Sequence, residues 1–189
     1  MEKPKEEIRM KKIRLFLFLA ITISLLAGCN RATQKPVDLS KITLPEDFSF
    51  SITWDCYGIS SYDSKTGTLI KTWDATKPED YITEMHLPEE ELKNIYIKLT
   101  KDINLFSYTD EYNPYRRGYA SQPTQTVILS ITSNQKTKTV TCKNIAFGDE
   151  KWMKNKNARD FMRVQDEIVD ILINTEEWKS LPDYEFGYD

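Results

Sequence analysis

Phe48-Ser49-Phe50-Ser51-Ile52-Thr53-Trp54-Asp55-Cys56 alternates a bulky apolar residue with a small or polar one. Successive side chains of an extended chain point to opposite faces, so this period of two places Phe48, Phe50, Ile52, Trp54 and Cys56 on a core side. Ser49, Ser51, Thr53 and Asp55 face water, the pattern of an antiparallel strand with one wet face. The turn cluster Asp63-Ser64-Lys65-Thr66-Gly67 follows, with Gly67 suited to a positive φ, and Thr68 to Trp73 reads as the returning strand of a hairpin. Tyr81 to Leu87 alternates more weakly and supplies a third strand before Pro88.

Helical spacing takes over at Pro88. Pro in the first turn followed by Glu89, Glu90 and Glu91 at the positive end of the dipole marks a helix start. Leu92, Ile95, Tyr96, Leu99 and Ile103 then form one apolar stripe, which predicts a helix to about residue 104. Val127, Leu129 and Ile131 alternate in Thr124–Thr132, and Val140 and Cys142 in Lys138–Asn144, a second hairpin joined by Ser133-Asn134-Gln135-Lys136. After a polar loop from Gly148 to Asn157, the residues Phe161, Val164, Ile168, Ile171 and Leu172 predict a second amphipathic helix ending near Asn174. Glu176 to Leu181 has a short helical look, and an acidic, aromatic tail follows. Strands in two groups with a helix after each predict an α+β fold: an antiparallel sheet of four or five strands with two amphipathic helices packed on one face.

Ahead of this lies a different kind of sequence. Leu15 to Ala27 is apolar except for Thr22 and Ser24, follows Lys11, Lys12 and Arg14, and ends in Leu26-Ala27-Gly28-Cys29. As a helix it spans about 20 Å against a hydrocarbon core of about 30 Å, too short for a permanent crossing and suited to a signal peptide. The final four residues resemble the bacterial lipobox. That resemblance implies cleavage between Gly28 and Cys29, a diacylglyceryl (palmitate-type) modification of Cys29, and a lipoprotein held on the extracytoplasmic side of the cell membrane. Two acyl chains give durable attachment where one gives only marginal binding. The expected organisation is a signal peptide at 1–28, a lipidated Cys and tether at 29–45, and a single extracytoplasmic domain at 46–189.

Residues 29–189 keep 20 basic and 26 acidic residues, a formal net charge of −6. That balance speaks against nucleic acid, or an anionic lipid surface, as partner. With Cys29 acylated, Cys56 and Cys142 are left. Both fall on core faces, and two readings stand: buried thiols, or a disulfide permitted outside the cytoplasm.

Catalytic and metal-binding patterns are scarce. His86 is the sole histidine, which rules out the usual imidazole-rich metal sets and makes it a strand-end residue beside the Pro88 helix start. Lys65-Thr66-Gly67 and Ser133-x-x-Lys136 look like two boxes of the serine β-lactamase and penicillin-binding families, but in inverted order and in turns. Asp55, Asp63, Asp110 and Glu111 could supply a carboxylate pair for hydrolysis, an alternative that spacing alone cannot assemble. No cofactor or metal is expected.

The stronger candidate is the irregular stretch Ser107–Pro123, where Tyr112, Tyr115, Arg116, Arg117 and Tyr119 combine the residue types that dominate binding hot spots. The bland alternative is a compact loop whose tyrosines cover the edge of the core. Over Phe48–Trp73 and Trp178–Phe186 the chain is similar to small, functionally unassigned lipoproteins of Gram-positive bacteria, a likeness that implies location and transfers no activity. The expectation is a non-catalytic binding module, tethered to the membrane, for an unknown protein or cell-envelope component. An envelope hydrolase and a structural spacer are its rivals.

Overall fold

The computed structural model describes residues 37–187. Signal peptide and lipidation site, Cys29 included, lie outside the described residues. Residues from Leu39 onward form one compact unit.

The chain is a mixed helix-and-sheet domain built on a six-stranded, wholly antiparallel sheet. Its strands are β1 (Ser49–Trp54), β2 (Ser60–Asp63), β3 (Thr68–Ile70), β4 (Ile82–Glu84), β5 (Thr124–Ser133) and β6 (Lys136–Ala146). They are ordered β4-β3-β2-β1-β5-β6, so the long β5–β6 hairpin adds to the first four-strand meander through β1. The helices are α1 (Glu89–Ile97), α2 (Lys156–Ile173) and the short α3 (Glu176–Ser180).

The expected strand count of four or five is corrected to six. The expected hairpin joined the first strand directly to Thr68–Trp73, whereas β2 intervenes and the Asp63–Gly67 turn connects β2 to β3. The chain reverses at Asp55, Tyr57 and Gly58, with φ values of 76°, 53° and 75°. Asp and Gly are at home at positive φ but a bulky residue such as Tyr57 is not, and the segment lacks the Asn-Gly or Asp-Gly pair of a tight hairpin, which hides this reversal. Asp55 answers part of the cost by accepting the N–H of Cys56 at its own carboxylate, 2.7 Å away. Strand β3 stops at Ile70, short of the expected Trp73, whose side chain is exposed.

The helix over 88–104 also differs in kind. After Ile97 the backbone widens into a π turn over Lys98–Asp102, and Asn104 ends it in the left-handed region at φ 45°. Ile95, Leu99 and Ile103 are spaced by four and all buried. A regular α-helix lets a four-residue spacing drift about 40° per step, and the wider turn carries Ile103 back toward the stripe.

Side chains from the inner strand faces (Phe50, Ile52, Trp54, Tyr62, Leu69, Val127, Leu129, Ile131, Val140) and from the helices (Ile95, Phe161, Val164, Ile168, Leu172) make one continuous core. Helix α2 is capped by Asn155, whose side chain accepts the N–H of Ala158, and of its predicted stripe Phe161, Val164, Ile168 and Leu172 are buried while Ile171 is half-buried at the edge. The tail docks. Tyr81 donates its hydroxyl to Asp183 O, Glu185 accepts Thr76 N–H, and Trp178 packs on Trp54.

Cys56 and Cys142 are both free and buried. Cys56 is bridged to Gln125, and Cys142 is paired with Val127, so β5 lies between them. Two inter-strand steps separate them by on the order of 10 Å, beyond the roughly 7 Å that a disulfide spans. The disulfide reading is thereby corrected to buried thiols. Burial raises the Cys142 thiol to about 12, and burial followed by the Asp55 charge raises Cys56. At pH 8 the native protein should therefore resist alkylation at both positions, and denaturant should expose two reactive thiols. Denatured protein that stays unlabelled until reduced would contradict this arrangement.

Candidate functional site

The stretch 108–119 runs beside the free edge of β6. Thr141 donates its N–H to Asp110 O at 2.7 Å and accepts from Tyr112 N–H at 3.0 Å, so the loop adds a single parallel bridge to an otherwise open strand. It then meets a second loop, residues 147–154: Lys154 N–H donates to Pro114 O and Arg116 N–H to Trp152 O, both at 2.9 Å.

Tyrosines fasten the two loops together. Tyr108 and Tyr112 pack on Phe161 of α2 with ring centroids 5.3 and 5.4 Å away. The Tyr115 hydroxyl donates to Gly148 O at 3.1 Å and that of Tyr119 to Phe147 O at 3.0 Å. Tyr119 lies flat on Trp152, 4.9 Å between centroids with planes 13° apart. Gly148 is required for this approach, because a Cβ there would sit 2.3 Å from the Tyr119 hydroxyl oxygen.

Five sequence-selected residues thus divide by role. Tyr115, 2% exposed, is a core residue, and the expectation that it contacts a partner is corrected: its ring is spent inside. Tyr112 and Tyr119 are half-buried struts. Arg116 and Arg117 are exposed, with Arg116 Nε steadied by Met153 O at 3.3 Å. Burial raises Tyr112 and Tyr115 and carries Tyr108 up to about 12, with the neighbouring Tyr112 and Asp160 adding to the last. A group whose native pKa lies above its unfolded value supplies stability that is present below the unfolded pKa. That stability disappears as pH rises through the native value. The domain should accordingly lose stability between about pH 10 and 12, the Tyr108 window. A denaturation midpoint flat across that range would contradict the packing of this tyrosine.

Beside the loops, Asp110, Glu111 and Tyr112 face Lys138, Thr139 and Lys143 across an open groove of about 830 Å³. Asp110 is paired with Lys138 at 2.5 Å. The other carboxylates considered for hydrolysis do backbone work: Asp55 holds Cys56 N–H, and Asp63 accepts Lys65 N–H at 2.8 Å in the β2–β3 turn. His86 is exposed and paired with Glu84 at 2.9 Å. Among the described residues no group of three or more His, Cys, Asp or Glu is placed to hold a metal, and no helix is long and apolar enough to cross a membrane.

A basic stretch of the chain lies hidden under the acidic overall charge. Arg116 to Arg163 holds ten basic residues and three acidic ones, while the chain on either side is strongly acidic. Arg116, Arg117, Lys143 and Lys154 make no ion pair among the described residues. Lys154 instead lies 5.9 Å over the Tyr112 ring and Lys151 5.7 Å over Trp152. A count over this window, rather than over the whole chain, would have revealed it.

Comparison with known proteins finds no matching family model, no matching curated protein and no matching solved structure.

Proposed function

We propose that the chain is a membrane-anchored extracytoplasmic lipoprotein, acylated at Cys29, whose domain is a non-catalytic binding module for a protein or cell-envelope component. We further read the domain as α+β with α1 and α2 against a single face of the sheet, a reading supported by their buried side chains sharing one core with its inner residues.

One observation carries the binding reading. Loops 108–119 and 147–154 are cross-braced by the buried Tyr115, the half-buried Tyr119 and main-chain hydrogen bonds, and this brace leaves Arg116, Arg117 and Trp152 exposed. Loops fixed before an encounter lose little entropy on binding, and Arg and Trp are among the residues that dominate interface energetics. The hydrolase reading has less behind it, because Asp55, Asp63 and Asp110 are already committed to turns or to Lys138.

Photo-crosslinking in whole cells from position 117, with position 65 in the β2–β3 turn as control, tests the proposal. The expected result is an envelope component joined from 117 and absent from 65. Equal or no adducts from both positions would overturn it.

A further inference from the structure

We infer that the face formed by loops 112–119 and 147–154 docks on the surface of an anionic phospholipid bilayer. This rests on the lipid-anchored reading above and names the envelope component that the face meets.

Three observations converge. Trp152 is 41% exposed and stacks on the Tyr119 ring, whose hydroxyl meets the main-chain carbonyl of the 39% exposed Phe147, so aromatic side chains stand exposed on both braced loops. Amphipathic rings such as Trp152 and Tyr119 favour the headgroup layer, and Phe147 adds apolar surface beside them. Around them lie Arg116, Arg117, Lys151 and Lys154, the array that draws a peripheral surface toward acidic headgroups. Acids are interspersed, but Lys138 and Lys151 already offset Asp110 and Asp149. The remaining cations outnumber Glu111 and Glu150.

The charge of the rest of the domain fixes the orientation. Residues 37–115 hold seven basic against fifteen acidic side chains, and residues 164–187 hold one against seven. Approaches that present those acidic segments to an acidic bilayer are repelled. An anchor at Cys29 also keeps Leu39 within about 35 Å of the lipid, ten residues at full extension. Docking is then an intramolecular step at high effective concentration, and weak attraction suffices.

Amide hydrogen exchange on the full acylated chain in nanodiscs reads this directly. The discs contain phosphatidylcholine alone, or equal parts phosphatidylcholine and phosphatidylglycerol. The expected result is slowed exchange in both loops with the anionic lipid only, lost at high salt. Combined Arg116→Gln, Arg117→Gln and Lys154→Gln replacement, at exposed positions without ion pairs, should lower the docking equilibrium about a hundredfold. Equal exchange in both discs would overturn the inference. So would protection by long-chain polyphosphate without protection by bilayers, which assigns the face to a soluble polyanion, or protection that depends on protein concentration, which assigns it to a second copy. An intact mass without acyl chains shows that the anchoring reading has failed. Adducts from position 117 to a protein, with no bilayer protection, leave the binding reading standing and remove this one.

Discussion

Replacing Phe161 with Ala should lower the stability of the domain by about 3–5 kcal/mol, the range for deleting a fully buried aromatic ring. Phe161 is 0% exposed and lies on the inner stripe of α2. Its ring also supports both Tyr108 and Tyr112, at 5.3 and 5.4 Å. The cavity therefore opens beneath the loop as well as within the core. Urea denaturation measures the first effect, and amide exchange in residues 108–119 the second. A large loss of stability with unchanged exchange there would mean that the loop is held by its main-chain hydrogen bonds to β6 and 147–154 alone.

Tyr115→Ala should be almost as severe, about 3–5 kcal/mol by the same cavity argument. The ring is 2% exposed and packs 5.4 Å from Tyr119, and its hydroxyl ties the two loops at Gly148. Tyr115→Phe isolates that tie. Losing the donor leaves the Gly148 carbonyl without this partner and should cost about 1–2 kcal/mol. Crosslinking from position 117 should be unaffected by Tyr115→Phe, since the hydroxyl faces Gly148. A tyrosine acting directly in recognition would instead show weakened capture with unchanged stability.

Much of the sheet was legible because period-two alternation reports a strand with one wet face. Phe50, Ile52 and Trp54, and Val127, Leu129 and Ile131, all point inward as their spacing requires. Strand β2 was lost because the reversal over Asp55–Gly58 runs through positive φ at Tyr57, a bulky residue that seldom adopts it, and carries no Asn-Gly or Asp-Gly pair. The β5–β6 turn is tighter than expected for a related reason. Asn134 and Gln135 both adopt positive φ, at 53° and 62°, and Asp47 steadies them by accepting both N–H groups, at 2.8 and 2.6 Å. That support comes from a residue 87 positions away, which no local pattern records.

The site was harder to read. Tyrosine is amphipathic, so composition locates Tyr112, Tyr115 and Tyr119 in one segment but cannot say which rings turn inward. Nor does a formal charge of −6 show that Arg116, Arg117 and Lys154 sit together on two braced loops. Parity placed both cysteines in the core correctly. The presence of β5 between Cys56 and Cys142 is a matter of strand order, which parity does not contain.

The intact mass of the chain extracted from the membrane fraction of its cells tests the central claim most directly. The account predicts a protein beginning at Cys29 and carrying a diacylglyceryl group there, and retention of the uncleaved leader when Cys29 is changed to Ser. A mature chain that begins elsewhere, or one that ends in an unmodified Cys29 and is found in the medium, would contradict it.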